Sequence, residues 1–180
     1  MTRIFFTTDV HGSDRCFRKF LNAAKVYKVD ALILGGDITG KVLVPIVETA
    51  DGQYRVTLFG QETTIAKESL QETRKSLQDA GQYSFVTNPA QLAELGADKP
   101  KQEEVFDEAM ELVLRSWVDL ARERLKGTSV KCYVSPGNDD RFQIDQTLAD
   151  GGQFVNPENR VVELDGGYEM ITLGYANPTP

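Results

Sequence analysis

Ile4-Phe5-Phe6-Thr7-Thr8-Asp9-Val10-His11-Gly12 is the stretch on which the fold turns. Its apolar and β-branched run predicts a buried first strand. The run stops at an acid and an imidazole two residues apart. Ser13 or Asp14 can cap a helix reaching about Tyr27. On that helix Phe17, Phe20, Leu21 and Ala24 fall at helical spacing and face the core. Ala31-Leu32-Ile33-Leu34 predicts a second buried strand, stopping at Gly35-Gly36-Asp37. This is strand–helix–strand, with polar residues at the carboxyl ends of both strands. Open α/β sheets build their sites there. A third strand of the same kind, Ser129 to Ser135, ends at Pro136-Gly137-Asn138-Asp139-Asp140.

Between the second and third of these strands, about Lys41 to Lys126 reads as a helical and hairpin insertion within a single domain of residues 1–180. Val42 to Glu48 and Tyr54 to Phe59 flank Asp51-Gly52, a hairpin signal. Residues from about Thr63 to Gly81 are rich in Glu, Lys, Gln and Leu and predict a helix. A shorter helix is expected over Pro89 to Leu95. A stronger one is expected from about Gln102 to Leu125, ended by Gly127. There Phe106, Met110, Val113, Trp117 and Leu120 recur every three or four residues as a packing stripe. Beyond the third strand, Val161 to Leu164 and Tyr168 to Leu173 flank Asp165-Gly166-Gly167, a second hairpin.

The 180 residues are 41% hydrophobic and 26% charged, with a net charge of −7 and a pI near 4.8. That balance suits a globular domain with a sizeable core. It argues against nucleic acid as a partner, whose capture needs a basic face. No apolar run approaches the roughly 18 residues of a membrane span. The N-terminus runs into a strand pattern and not into the apolar core of a signal peptide. A cytoplasmic protein without membrane association is expected. Cys16 falls in a predicted helix and Cys132 in a predicted strand, at no spacing that suggests a disulfide framework or a zinc knuckle. Both are expected reduced and partly buried.

Asp9 with His11, Asp37, and Asn138 with Asp139 and Asp140 thus stand at three strand ends, each in a turn containing glycine. If the strands are parallel neighbours, these side chains converge on one edge of the sheet. Carboxylates with one imidazole and one amide oxygen suit Mn, Fe, Zn or Mg. A structural zinc site would use several Cys or His. Two such ions about 4 Å apart can share a carboxylate and hold a phosphate from both sides. Asp37, behind two glycines on the middle motif, is the candidate bridge. Bound cations would let an acidic protein take a small phosphate ester as substrate. A dinucleotide-binding reading finds no GxGxxG in the first turn.

Asp9-Val10-His11, Gly36-Asp37 and Gly137-Asn138-Asp139-Asp140 resemble the first three motifs of the calcineurin-like metallophosphoesterases, D-x-H, G-D and G-N-H-[DE]. The likeness covers residues 3 to about 40 and 129 to about 141. It implies a four-layer α/β/β/α sandwich and hydrolysis of phosphomonoesters or phosphodiesters by a metal-activated water. By the family pattern two divalent ions would be held, with Asp9 and His11 on one, Asp37 bridging, and Asn138 on the other. Asp139 stands where the family usually has a histidine that resembles a general acid. Asp140 is the acid that orients it, so these two are the candidate catalytic residues. An aspartate serves as that acid only if burial or a neighbouring carboxylate raises its pKa. Arg141 is outside the motif and reads as a surface arginine, with a phosphate contact as the alternative.

The family's later motifs are a lone His and a G-H-x-H, and His11 is the only histidine of this chain. The sequence is therefore expected to correspond to about the first two-thirds of such an enzyme, truncated at its C-terminus. Further chain or a homo-oligomer would then close the unpaired edge. Two functions follow. One is a metal-dependent phosphoesterase. The other is a catalytically incomplete metallophosphoesterase-like binding or scaffold protein.

Overall fold

The computed structural model describes residues 1–141, 143–150, 152, 154–164 and 166–174, with residue 150 as backbone alone. The elements run β1 (Ile4–Thr7), α1 (Asp14–Tyr27), β2 (Ala31–Gly35), β3 (Val42–Glu48), β4 (Tyr54–Leu58), β5 (Gln61–Ile65) and α2 (Leu70–Asp79). They continue with β6 (Gln82–Thr87), α3 (Pro89–Ala97), α4 (Lys99–Leu125), β7 (Lys131–Ser135), α5 (Ile144–Asp150), β8 (Phe154–Val155), β9 (Val162–Leu164) and β10 (Tyr168–Met170). The class is mixed α/β. The chain forms two compact units. One comprises Met1–His11, Arg15–Thr39 and Glu111 onward; the other comprises Gly12–Asp14 and Gly40–Met110. The second unit thus accounts for residues 41–110 of the expected insertion, whereas the rest of α4 belongs to the first.

The first unit is built on a four-stranded sheet in the order β1-β2-β7-β8, with every neighbouring pair parallel. The register sets Phe5 beside Leu32 and Leu32 beside Cys132, on one face. That face meets aromatic rings of α1. Phe5 lies 6.4 Å from Phe20, and Phe17 stacks on Trp117 of α4 at 4.2 Å and 3°. On the opposite face Ala31, Ile33 and Tyr133 form a core with Leu164, flanked by Val162 and Met170 of the β9–β10 hairpin. The Tyr133 hydroxyl donates to the Glu163 carbonyl at 2.9 Å and ties that hairpin down. The hairpin matches the expected one; Asp165 of its turn and the final residues 175–180 lie outside the described residues.

β1 departs from expectation. It is an edge strand and not a buried one: Ile4 is 45% and Phe6 61% exposed. Among the described residues no strand pairs with its outer side. Only the Phe5 face is covered, because alternate side chains of a strand point to opposite faces. β2, paired on both sides, is buried from Ala31 to Leu34. Cys132 on β7 is buried, and burial pushes its thiol well above the usual range. Cys16 is exposed rather than partly buried, and neither cysteine is in a disulfide among the described residues.

The second unit holds a sheet in the order β5-β4-β3-β6. β3, β4 and β5 are antiparallel, and β6 runs parallel to β3. Its core is Val44, Ile46, Tyr54, Val56 and Leu77. The helix expected from Thr63 forms only from Leu70. Thr63, Thr64 and Ile65 instead pair with β4, because β-branched residues lose χ1 freedom in a helix and fit a pleated sheet. β6, β8 and α5 were not expected at all. The Asn88 side chain accepts from the Gln91 N–H at 2.9 Å and caps α3, with Pro89 at its first turn. No helix among the described residues is long and apolar enough to cross a membrane.

Candidate metal centre

β1, β2 and β7 are consecutive parallel strands, so their carboxyl ends share one edge of the first unit's sheet. Backbone bonds stitch the first two loops together there. The Asp9 N–H donates to the Gly36 carbonyl at 3.2 Å, and the His11 N–H to the Asp37 carbonyl at 3.0 Å. The Thr8 hydroxyl donates to the Gly35 carbonyl at 2.9 Å. Asp9, His11 and Asp37 all take the left-handed conformation, at φ 56°, 42° and 50°. Such residues cost free energy of order 1–3 kcal/mol each and gather at functional sites. Asp and His tolerate this conformation better than most side chains.

The loop after β7 comes close for want of side chains. A Cβ on Gly137 would run into the backbone nitrogen and carboxylate of Asp37. That contact lets the Asp139 N–H donate to Asp37 Oδ1 at 3.3 Å.

One ligand atom each from Asp9, His11 and Asp37 can be chosen so that all lie within 4.8 Å of one another. His11 Nε2 is 3.7 Å from Asp9 Oδ1. His11 Nδ1 is buried and makes no hydrogen bond. Buried polar atoms are rarely left so, and a cation is one partner an imidazole nitrogen accepts. The donor set therefore fits a divalent ion of intermediate hardness. Burial pushes the Asp37 carboxyl above the usual carboxylate range. The negative charges of Asp139, Asp140 and Asp9 add to this, and the Asp139 N–H opposes it.

The remaining sequence candidates fall in the β7 loop. Asn138 is exposed, and Asp139 and Arg141 are half-buried. Asp140 is buried, and its two oxygens accept four hydrogen bonds, from Ile38 N–H, Thr39 N–H, the Thr39 hydroxyl and Gly137 N–H. That fills about all the acceptor sites of a carboxylate, leaving little capacity to orient residue 139. Sequence reading overlooked Thr39, buried two residues beyond Asp37. A hydroxyl just past a strand-end acid was the available signal, and it is a common one. Compared with models of known families, with curated proteins and with solved structures, the chain matches none.

Proposed function

We propose that this chain carries the metal-binding half of a phosphoesterase site and hydrolyses small phosphomonoesters or phosphodiesters with two divalent ions, Mn, Fe, Zn or Mg. Asp9 and His11 would hold one ion, Asp37 would be shared between the two, and the Asn138 amide oxygen would serve the other. Divalent ions there lower the pKa of water and offset phosphoryl charge. Asp139 would be the group that gives a proton to the leaving oxygen. The enclosing architecture is the four-layer sandwich of the calcineurin-like metallophosphoesterases, and the place of action is the cytoplasm. One observation carries the reading: three strained, left-handed residues bring two carboxylates and an imidazole with an orphaned buried nitrogen to one point.

The alternative is a binding or scaffold protein of that lineage. The single histidine favours it, as does an acid at 139 in place of an imidazole. The test is hydrolysis of an aryl phosphodiester and an aryl phosphomonoester, with Mn²⁺ present or withheld. Wild type and Asp37→Asn are run together, and bound metal is counted in each. Mn²⁺-dependent turnover that vanishes in Asp37→Asn supports the enzyme. Metal uptake without turnover supports the scaffold. Failure to take up metal ends both.

A further inference from the structure

Asp140 is 7% exposed, and the donors that hold it come from two loops. Oδ1 accepts the Thr39 N–H at 2.8 Å and the Thr39 hydroxyl at 2.6 Å. Oδ2 accepts the Ile38 N–H at 3.0 Å and the Gly137 N–H at 2.8 Å. Ile38 and Thr39 follow Asp37 on the loop after β2. Gly137 precedes Asn138 on the loop after β7. One carboxylate thus grips the backbone immediately beyond Asp37 and immediately before Asn138.

The geometry points to Asp140 as a positioning residue, with Thr39 as its partner: a buried clamp that fixes the β2 loop against the β7 loop and thereby sets the affinity of the Asp9–His11–Asp37–Asn138 site for a divalent ion. This inference rests on the metal reading above. Charge-assisted hydrogen bonds are short and about twice as strong as neutral ones. Four on one buried group hold the two loops more firmly than neutral contacts of the same number. An amide at 140 would turn its NH₂ toward N–H or O–H donors whichever way it faced. Groups that orient ligands without touching the ion typically govern affinity by roughly 10–100-fold.

The test uses the full chain with Mn²⁺ as probe. Affinity is measured for wild type, Asp140→Asn, Thr39→Val and Thr39→Ser, alongside Trp117→Ala as a core variant on a helix outside the two loops. Hydrogen exchange is followed at the amides of Ile38, Thr39 and Gly137. Asp140→Asn should bind Mn²⁺ roughly 10–100-fold more weakly. Thr39→Val should fall between it and wild type, Thr39→Ser should recover wild-type affinity, and Trp117→Ala should keep it. Wild-type affinity in Asp140→Asn overturns the clamp. So does a loss in Trp117→Ala equal to that in Asp140→Asn, which would reflect general loosening. If Asp140→Asn does not fold, Thr39→Val against Thr39→Ser decides by the same criterion. If wild type takes up no Mn²⁺, the metal reading fails and exchange alone decides on the clamp. Protection lost in Asp140→Asn at those three amides upholds it; unchanged protection overturns it.

Discussion

Residues 9, 11 and 37 sit where most side chains would strain the backbone, and two of them are acids facing further acids. The consequence at Asp37 can be signed. A carboxyl whose pKa rises on folding binds its proton more tightly in the folded state. Its contribution to metal-free stability therefore falls as pH climbs from the ordinary carboxylate range through the raised Asp37 value, and is flat beyond it. Asparagine removes that charge and suits the left-handed conformation. Metal-free Asp37→Asn should melt above wild type at neutral pH, with the gap closing toward acid pH. A gap that does not change with pH would mean the charge is not its source. Asp37→Asn should also lose more bound metal than Asp140→Asn, by metal analysis of both after equal Mn²⁺ loading, because only Asp37 lies among the proposed ligands. Asp9, His11 and Asp37 were legible because each ends an apolar run. Thr39 was not, since a hydroxyl just past a strand-end acid is too common a pattern to mark its burial against a carboxylate distant in sequence.

At the scale of elements, periodicity served wherever one face of an element is buried. The α1 positions Phe17, Phe20 and Leu21 are buried as their spacing required. On α4, Met110 and Trp117 of the expected stripe are buried, joined by Leu114, Val118 and Ala121, while Phe106, Val113 and Leu120 are half-buried. Trp117→Ala removes the ring stacked on Phe17. It should cost about 3–5 kcal/mol of stability by denaturant melt, with Mn²⁺ affinity unchanged. A selective loss of metal at intact stability would place that helix in the site. The misses have their own physics. β5 reads Gln61-Glu62-Thr63-Thr64-Ile65 and is exposed over its first four residues. Its polar surface resembles that of a solvated helix, and only pairing with β4 selects the strand. β6 owes its place to a parallel pairing with β3, a contact distant in sequence that composition does not record. β8 has only two residues, too few for any period to show.

In the first unit, the three strands that present the site were legible as a set because the same pattern occurs three times: an apolar run that stops at a turn holding both glycine and acid. What covers the sheet was less so, and the buried β1 expected from five apolar or β-branched residues proved half open. The hairpin shields Ala31, Ile33 and Tyr133 but leaves Ile4 and Phe6 on the same face in solvent. Unpaired strand edges bearing apolar side chains favour edge-to-edge pairing, and lysine there opposes it. Wild type should gain mass with concentration in sedimentation velocity, and Phe6→Lys should do so far less. A concentration-independent wild type would remove the edge as an association surface. The same strand bears on handling at the bench. Concentrated stocks should turn cloudy on storage at temperatures where the fold is still intact, through growth of sheet-like particles from native chains. Dilution, and not a stabilising additive directed at unfolding, should be what keeps them clear.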